Sequence, residues 1–335
     1  MGDIGGGSLS GLGESASPQQ PAAEHLSQYT VFTGPNGIRA GWRMLIFSAI
    51  VGTPYLLLTA VGKILTAGQP QPQPPAGAFS PLIVGVGELL IFGFLVLVTG
   101  IMGLIENRSY AHYGLPWRRP FPKNFWVGLF WGFVSISLLL GGIGAFHGFH
   151  IDGLATHGRA ALVAGLEWGF AFLMVGFFEE FTFRGYALFT LTTGIKFPLA
   201  AVVCSALFAY AHTSNPGESK FGLAQVFVFG IFACLVIRRT GNMWWPIGFH
   251  AAWDWGQTYF YGVPDSGLPA SSALLKTEFH GPKWLTGGAT GPEASVFCLV
   301  VLIIAMLAVM WRYKTVQYPD PTALGPRPRN LGESI

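Results

Sequence analysis

Apolar residues occur along the chain in long runs that are separated by short polar stretches. Eight of these runs are long enough, or nearly long enough, to cross a bilayer, which takes about 20 helical residues. The eight predicted spans cover residues 42–62, 80–105, 124–146, 160–190, 197–213, 221–238, 244–262 and 294–313. This pattern predicts an all-α protein, a polytopic membrane helical bundle of about eight transmembrane helices.

The segments outside the apolar runs suggest the domain organisation. Residues 1–38 are rich in Gly, Ser, Pro and Gln, and this composition predicts a disordered N-terminal tail. Residues 319–335 predict a disordered C-terminal tail, so the membrane domain is expected to cover residues 39–318. The loop 69–75, made only of Gln and Pro, is expected to be extended and exposed.

The lengths of the spans predict their places in the bundle. The fifth, sixth and seventh spans are short or carry polar residues, so we expect them inside the bundle. The fourth span is long, so we expect it to tilt or to project beyond the membrane.

Composition supports an integral, multi-pass membrane protein. The chain is 51% hydrophobic and 10% charged, whereas soluble domains carry about 25% charged residues. The basic residues are spread between apolar runs, so we expect the lipid bilayer as a partner and no nucleic acid. With eight spans, 14 of the 19 lysines and arginines fall on the side that holds both termini. The positive-inside rule then predicts cytoplasmic termini, and a bacterial plasma membrane is the expected location.

Two adjacent glutamates lie inside the fourth apolar run. An ionised carboxylate in hydrocarbon costs several kcal/mol, so Glu179 and Glu180 indicate more than a simple membrane span. Glu180 and Arg184 are one helical turn apart and are expected to form an ion pair. Glu179 points about 100° away on the helix, which leaves it less neutralised and suits a general acid or base.

Two later apolar runs carry histidines. His212 ends the run from Phe208, and His250 precedes Asp254 by one helical turn. Asp254 could orient the imidazole of His250, or both could bind one ligand. The depths of these residues along their spans are compatible with one pocket that also contains Glu179, and His212 fits that pocket least well.

Three motifs now resemble those of a known family. They are Glu179-Glu180-x-x-x-Arg184, Phe208-x-x-x-His212 and His250-x-x-x-Asp254. Their order, spacing and placement on successive membrane helices are similar to the CPBP family, which comprises CAAX prenyl proteases and bacteriocin-processing enzymes. This group is also called the Abi family and includes the Rce1-type prenyl protease. The resemblance covers a motif core of residues 160–262.

The resemblance implies an intramembrane endopeptidase that cleaves membrane-associated or CAAX-type peptide or protein substrates reaching the site from the membrane. It implies that Glu179 and His212 hold and activate the attacking water. It implies that His250 and Asp254 polarise the scissile carbonyl and stabilise the oxyanion, and that Phe208 packs beside His212. Two further motif residues are implied to shape the site, namely Glu180 and Arg184.

The cofactor and the role of Asp254 remain open at this point. The family is described both with a divalent metal and with a metal-free glutamate mechanism, so the expected cofactor is none or a divalent metal such as zinc. The ligands of such a metalloprotease site would be Glu179, His212, His250 and Asp254. The third motif often has Asn where this chain has Asp254, so Asp254 must be protonated, act through His250 or bind metal.

Other functions compete with the peptidase. Intramembrane carboxylates and histidines also relay protons in proton-coupled transporters, although the chain shows no inverted repeat. A non-catalytic bacteriocin-immunity or scaffold protein could retain the same fold. A rival metal-binding set occurs in the predicted outer loop after the third span, formed by His147, His150, Asp152 and His157.

The predicted topology can be tested with reporter fusions. Reporters at both tails should respond as cytoplasmic, and a reporter inserted in residues 69–75 should respond as external, because of the distribution of lysine and arginine. A tail that reports from the outside would overturn the orientation.

Overall fold

The computed structural model describes residues 2, 31–34, 37–67, 80–269 and 271–319. Most of both predicted tails and the loop 69–75 lie outside these residues. The helices that it describes are α1 (Ala40–Leu65), α2 (Pro81–Glu106), α3 (Lys123–Ala145), α4 (Gly158–Arg184), α5 (Tyr186–Ala211), α6 (Lys220–Thr240), α7 (Trp244–Asp254), α8 (Lys283–Thr286) and α9 (Val296–Arg312). Each of the eight predicted spans overlaps one of these helices, and the helical bundle is confirmed.

The strands are short and form two separate antiparallel pairs. They are β1 (Thr33–Gly34) with β2 (Gly37–Ile38), and β3 (Phe149–Leu154) with β4 (Leu275–Phe279). In the second pair Phe149 is opposite Phe279, with an irregular register between Ile151 and Gly153. The sequence pattern gave no sign of these strands, because none of them has an alternating run long enough to stand out.

Five stretches of the described chain are long and apolar enough to cross a membrane. They are α1, α2, α3, the continuous stretch Gly158–Ser214 that contains α4 and α5, and α6. The apolar helix α9 is shorter, and α7 has only 11 residues. Many large apolar side chains on α1 and α2 are exposed, such as Leu56, Ile83 and Leu104, as lipid-facing side chains would be.

The fourth predicted span ends earlier than expected. Helix α4 stops at Arg184 instead of residue 190, and α5 begins at Tyr186. Gly185 separates the two helices, and a Cβ at this position would collide with the carbonyl oxygen of Phe181. Helix α5 is itself broken at Lys196, which has a left-handed φ of 64°. The apolar pattern hid these breaks because the sequence remains apolar across them.

Helix α7 is the innermost element of the bundle. All of its residues are buried, and it packs against α3, α4 and α6. This confirms the expectation that the seventh span lies inside the bundle. The predicted span 244–262 is not one α-helix, however, because a π-helical turn from Trp255 to Phe260 follows α7 directly. Such turns insert an extra residue into a helix and occur often at functional sites.

Helices α3 and α7 approach so closely that their backbones touch. A Cβ at Gly128 or Gly132 of α3 would collide with the carbonyl oxygen of Trp245 or Phe249, respectively. A Cβ at Gly248 of α7 would collide with the carbonyl oxygen of Phe125 in return. Small residues four apart permit this kind of packing between membrane helices. The contact sets the position of α7 and therefore of the third sequence motif.

Gly132→Ala should destabilise the folded protein, because the added methyl group meets backbone atoms that cannot rotate away. We expect a loss of about 1–3 kcal/mol, the usual effect of overpacking, measured as a lower unfolding temperature in detergent. Gly141→Ala is the matched control on the same helix, since a Cβ there meets nothing within 4 Å. Equal unfolding temperatures for the two variants would contradict the close contact.

Candidate active site

The first motif places its two glutamates in different surroundings on α4. The Glu180 side chain is fully buried, and its Oε1 atom lies 3.0 Å from Nη1 of Arg184, which confirms the predicted pair. The Glu179 side chain is 21% exposed and lines a cavity. Neighbouring residues on a helix differ by about 100° in direction. Glu179 therefore faces the cavity, while Glu180 lies behind the cavity wall.

The second motif packs on the first through Phe208. The guanidinium carbon of Arg184 lies 4.1 Å from the centre of the Phe208 ring, within the range of a cation–π contact. The same ring lies 4.6 Å from the ring of His212, as the resemblance implied. Phe208 therefore connects the buried ion pair to the histidine at the end of α5.

His212 begins a short 3₁₀ turn after α5 and lines the cavity with Glu179. Its Nδ1 atom lies 2.8 Å from the carbonyl oxygen of Phe208. A carbonyl oxygen only accepts, so Nδ1 must carry a proton. The neutral ring then presents Nε2 as an acceptor. His212 was expected to fit the pocket least well, but its side chain is part of the cavity lining.

The third motif completes the arrangement from α7. His250 Nδ1 donates to Glu180 Oε1 at 3.0 Å. Its Nε2 atom lies 3.5 Å from Glu179 Oε2 and 3.6 Å from Asp254 Oδ2. Asp254 was considered as the group that orients the imidazole, but it is Glu180 that accepts the short hydrogen bond from the ring. The reason is that α4 and α7 pack directly against each other, a contact that spacing along one helix cannot reveal.

The cavity between these motifs has a volume of about 400 Å³. This lies in the range of about 300–1,000 Å³ that is typical of small-molecule sites. Four predicted site residues line the cavity: Glu179, His212, His250 and Asp254. Glu180 and Arg184 do not line it and form its support behind the wall. The structure thus brings all three motifs together around one space.

Three further carboxyl groups line the cavity and were missed by the motif analysis. Glu88 of α2 is one of them, and the other two, Asp265 and Glu293, lie in the segment between the π-helical turn and α9. A carboxylate inside the apolar run of α2 was a signal that could have pointed to Glu88. Asp265 and Glu293 lie in polar loops, where a carboxylate is ordinary, so no local pattern marked them.

A metal does not fit the described side chains as they stand. Among the described residues, no group of three His, Cys, Asp or Glu side chains could hold a metal ion. This applies to the motif residues and also to the rival set in the loop after α3. In that set His150 Nε2 lies 3.8 Å from Asp152 Oδ1 on the exposed strand β3.

The fold and the cavity define a class: a polytopic membrane protein in which carboxylates and imidazoles from several helices surround one internal space. Residues 161–256 match a family described as "Type II CAAX prenyl endopeptidase Rce1-like". The matched segment contains all three motifs, and the resemblance inferred from them is confirmed. No curated protein and no solved structure matches the chain.

Glu180→Gln should destabilise the protein more than Glu179→Gln. Glu180 is the partner of both Arg184 and His250, and removing one member of a buried ion pair costs about 3–5 kcal/mol. Glu179 is partly exposed in the cavity, so its neutral variant leaves no buried cation without a partner. Thermal unfolding of both variants in the same detergent measures the difference. Equal losses in the two variants would contradict the supporting role of Glu180.

Proposed function

We propose that the protein is an intramembrane endopeptidase in which Glu179 activates a water molecule to cleave a peptide bond of a membrane-associated or CAAX-type substrate. The observation that carries this proposal is the placement of Glu179, His212 and His250 around one cavity. Glu180, the neighbouring glutamate, is held by Arg184 and His250. Glu179 is therefore the carboxylate available to a water molecule in the cavity, and the Rce1-like match over residues 161–256 supports peptidase chemistry.

The attack begins with a water molecule between Glu179 and His212. The water donates one hydrogen bond to the Glu179 carboxylate and one to Nε2 of His212, whose Nδ1 proton is committed to the Phe208 carbonyl oxygen. Glu179 takes a proton as the water oxygen attacks the substrate carbonyl carbon. The tetrahedral intermediate then collapses, the C–N bond breaks, and Glu179 returns the proton to the leaving nitrogen.

His250 stabilises the negative charge that develops on the carbonyl oxygen. With protons on both ring nitrogens, it donates through Nδ1 to Glu180 and presents Nε2–H toward the cavity. Donors fixed in place before the reaction stabilise an oxyanion without further reorganisation. Glu180 keeps the ring in this orientation, so it acts as a positioning residue and does not touch the substrate.

Asp254 is protonated in this proposal and lies beside His250 at the cavity wall. Its Oδ2 atom lies 3.6 Å from Nε2 of His250, and both residues are buried at the cavity wall. An ionised Asp254 would repel the oxyanion, whereas a protonated one or an asparagine would not. The side chain at this position therefore needs to be polar and uncharged beside the reacting oxygen.

We further propose that the protein lies in a bacterial plasma membrane with both termini in the cytoplasm. The uneven distribution of lysine and arginine supports this orientation. The substrate would then enter the cavity from within the bilayer or from its surface.

Glu179→Gln should abolish cleavage and leave the protein folded in the membrane, because glutamine cannot take a proton from water. We expect a loss of at least about 100-fold in rate, the lower range for a general base. Mass mapping of the membrane peptides that accumulate in cells with this variant identifies substrates. The cleavage rates of those peptides are then measured with the purified wild type and the purified variant. Near-full turnover by Glu179→Gln would refute the mechanism.

Asp254→Asn should keep cleavage activity, since asparagine is neutral and can donate to an oxyanion. Chelation should have little effect on either the wild type or this variant. Metal analysis of both purified proteins, together with their cleavage rates with and without chelator, provides the measurement. Stoichiometric metal in the wild type that is lost with activity in Asp254→Asn would show that Asp254 is a metal ligand.

A further inference from the structure

The helix ends form two faces of the bundle, and contacts between distant segments define both. On one face Arg43 at the start of α1 pairs with Glu106 at the end of α2 at 2.6 Å, and the segment after α9 bonds to the end of α6. On the other face β3 pairs with β4, and the Gly267 N–H donates to the Thr290 carbonyl oxygen at 2.8 Å. Every loop between two spans therefore belongs to one of these two faces.

The two faces differ in their lysines and arginines. Eleven of those that the structure describes lie at the face of Arg43, which we call the basic face, and five lie at the opposite face. The eleven are Arg39, Arg43, Arg108, Arg118, Arg119, Lys123, Lys196, Arg238, Arg239, Arg312 and Lys314, and the five are Lys63, Arg159, Lys220, Lys276 and Lys283. Since lysine and arginine are concentrated on the cytoplasmic side of membrane proteins, the basic face is expected in the cytoplasm.

The depth of Glu179 between these faces follows from the contact of α2 with α4. A Cβ at Gly85 would lie 3.1 Å from the Cα atom of Ala171, so these two residues are level. Both helices begin at the opposite face. Glu179 lies eight residues beyond Ala171, or about 12 Å, whereas Glu106 at the basic face lies 21 residues beyond Gly85, or about 32 Å. About 20 Å of protein therefore separates Glu179 from the basic face.

That layer of protein is filled with apolar side chains. Leu95, Val98 and Met102 follow one another along α2 toward the basic face, and each is at most 2% exposed. They belong to one core cluster with Phe189 of α5 and Trp244 at the start of α7. Protein interiors of this kind are close-packed and hold few voids larger than a water molecule. The core thus closes the cavity toward the basic face.

Toward the opposite face the cavity reaches the loops. His212 and Asn215 line it from the connection between α5 and α6, and Leu268 lines it from the connection that precedes β4. The Leu268 side chain is 41% exposed. Among the described residues that line the cavity, none belongs to a connection at the basic face. Water and an extended peptide therefore have a route to Glu179 from the opposite face.

We propose that the cavity opens on the extracytoplasmic side, and that the substrates are membrane-anchored proteins whose cleaved segment lies on that side. This inference rests on the proposed peptidase function and selects among its substrates. A CAAX-type tail presented from the cytoplasm meets the closed core at the basic face. A segment that leaves the membrane on the other side meets the open end of the cavity.

The shape of the cavity predicts the form of the cleaved segment. Trp168 and Phe172 line its wall near the level of Ala171, and Glu179 lies about 12 Å deeper. An extended peptide advances about 3.3 Å per residue, so about four uncoiled residues are needed to reach Glu179. The aromatic wall favours apolar side chains among them. The cleaved segment is therefore an extended, apolar stretch next to the membrane anchor of the substrate.

Cysteine labelling tests the side of each face without any enzymatic activity. Leu268→Cys places a thiol at the opening, and Val316→Cys is the matched control after α9 at the basic face, where Val316 is 52% exposed. The native cysteines are buried, so the wild type gives the background. A membrane-impermeant sulfonated maleimide should label Leu268→Cys in intact cells and Val316→Cys only after lysis. The reverse pattern would overturn the proposal and favour a cytoplasmic tail as substrate.

Deeper thiols test which end of the cavity is open. Val226→Cys and Val175→Cys lie in the cavity wall, and Cys298→Ala removes the native thiol that also lines it. An impermeant trimethylammonium methanethiosulfonate is added to right-side-out and to inside-out vesicles. Modification should be at least about tenfold faster from the side that labels Leu268→Cys, because the packed core blocks the other route. Equal rates from both sides, or faster reaction from the other side, would overturn the proposal.

Reporter cleavage tests the substrate class. One segment identified as cut is fused to a membrane anchor so that it lies outside the cell in one reporter and in the cytoplasm in another. In cells the wild type should cleave the external reporter and spare the cytoplasmic one, and Glu179→Gln should cleave neither. In detergent the wild type should cleave both at equal rates, since no membrane separates the faces.

The detergent reaction separates a wrong side from a wrong function. Cleavage of both reporters in detergent, but of only the cytoplasmic reporter in cells, would overturn the proposed side and leave the peptidase intact. If neither reporter is cleaved in detergent, the peptidase function is refuted and the substrate class with it, whereas the labelling results still decide where the cavity opens.

Discussion

The site depends on the contacts that the buried carboxylate of Glu180 makes. It accepts from Arg184 on its own helix and from His250 on α7, so one buried charge connects two of the three motifs. A buried carboxylate with two cationic or donor partners tolerates low dielectric, whereas each partner alone would be unstable there. Because Arg184 also lies over the Phe208 ring, the second motif joins the same network. The groups that we propose to act in catalysis are therefore held by residues that take no direct part in the proposed reaction.

The packing of α3 against α7 supports this network from the other side. Glycines at Gly128, Gly132 and Gly248 allow the two backbones to touch, and α7 is buried along its whole length as a result. A helix of 11 residues would be marginal by itself, because nucleation is costly and few hydrogen bonds form. Tight packing makes it a stable base for His250 and Asp254. The π-helical turn that follows then directs Gln257 and Thr258 toward the carboxyl pair of Asp265 and Glu293.

The five carboxyls of the cavity have different surroundings, and these differences suggest different tasks. Glu179 is partly exposed and lies near His250, which suits proton transfer with water. In the proposed mechanism Asp254 lies beside the oxyanion, where a charge would oppose the reaction. Asp265 accepts a hydrogen bond from Thr258 and Glu293 accepts one from Ser266, so both carboxyls are fixed in the cavity wall.

The sequence by itself determined the membrane class, the approximate positions of most helices and the three motifs. These properties are local: apolar runs report helices in lipid, and spacing of four residues places Glu180 beside Arg184. Only the tertiary structure decided that Glu180 orients His250, that His212 reaches the cavity, and that Glu88, Asp265 and Glu293 line it. Each of these facts depends on contacts between helices or loops distant in the chain. Spacing within one helix carries no information about which distant residue will face it, and packing alone supplies that relation.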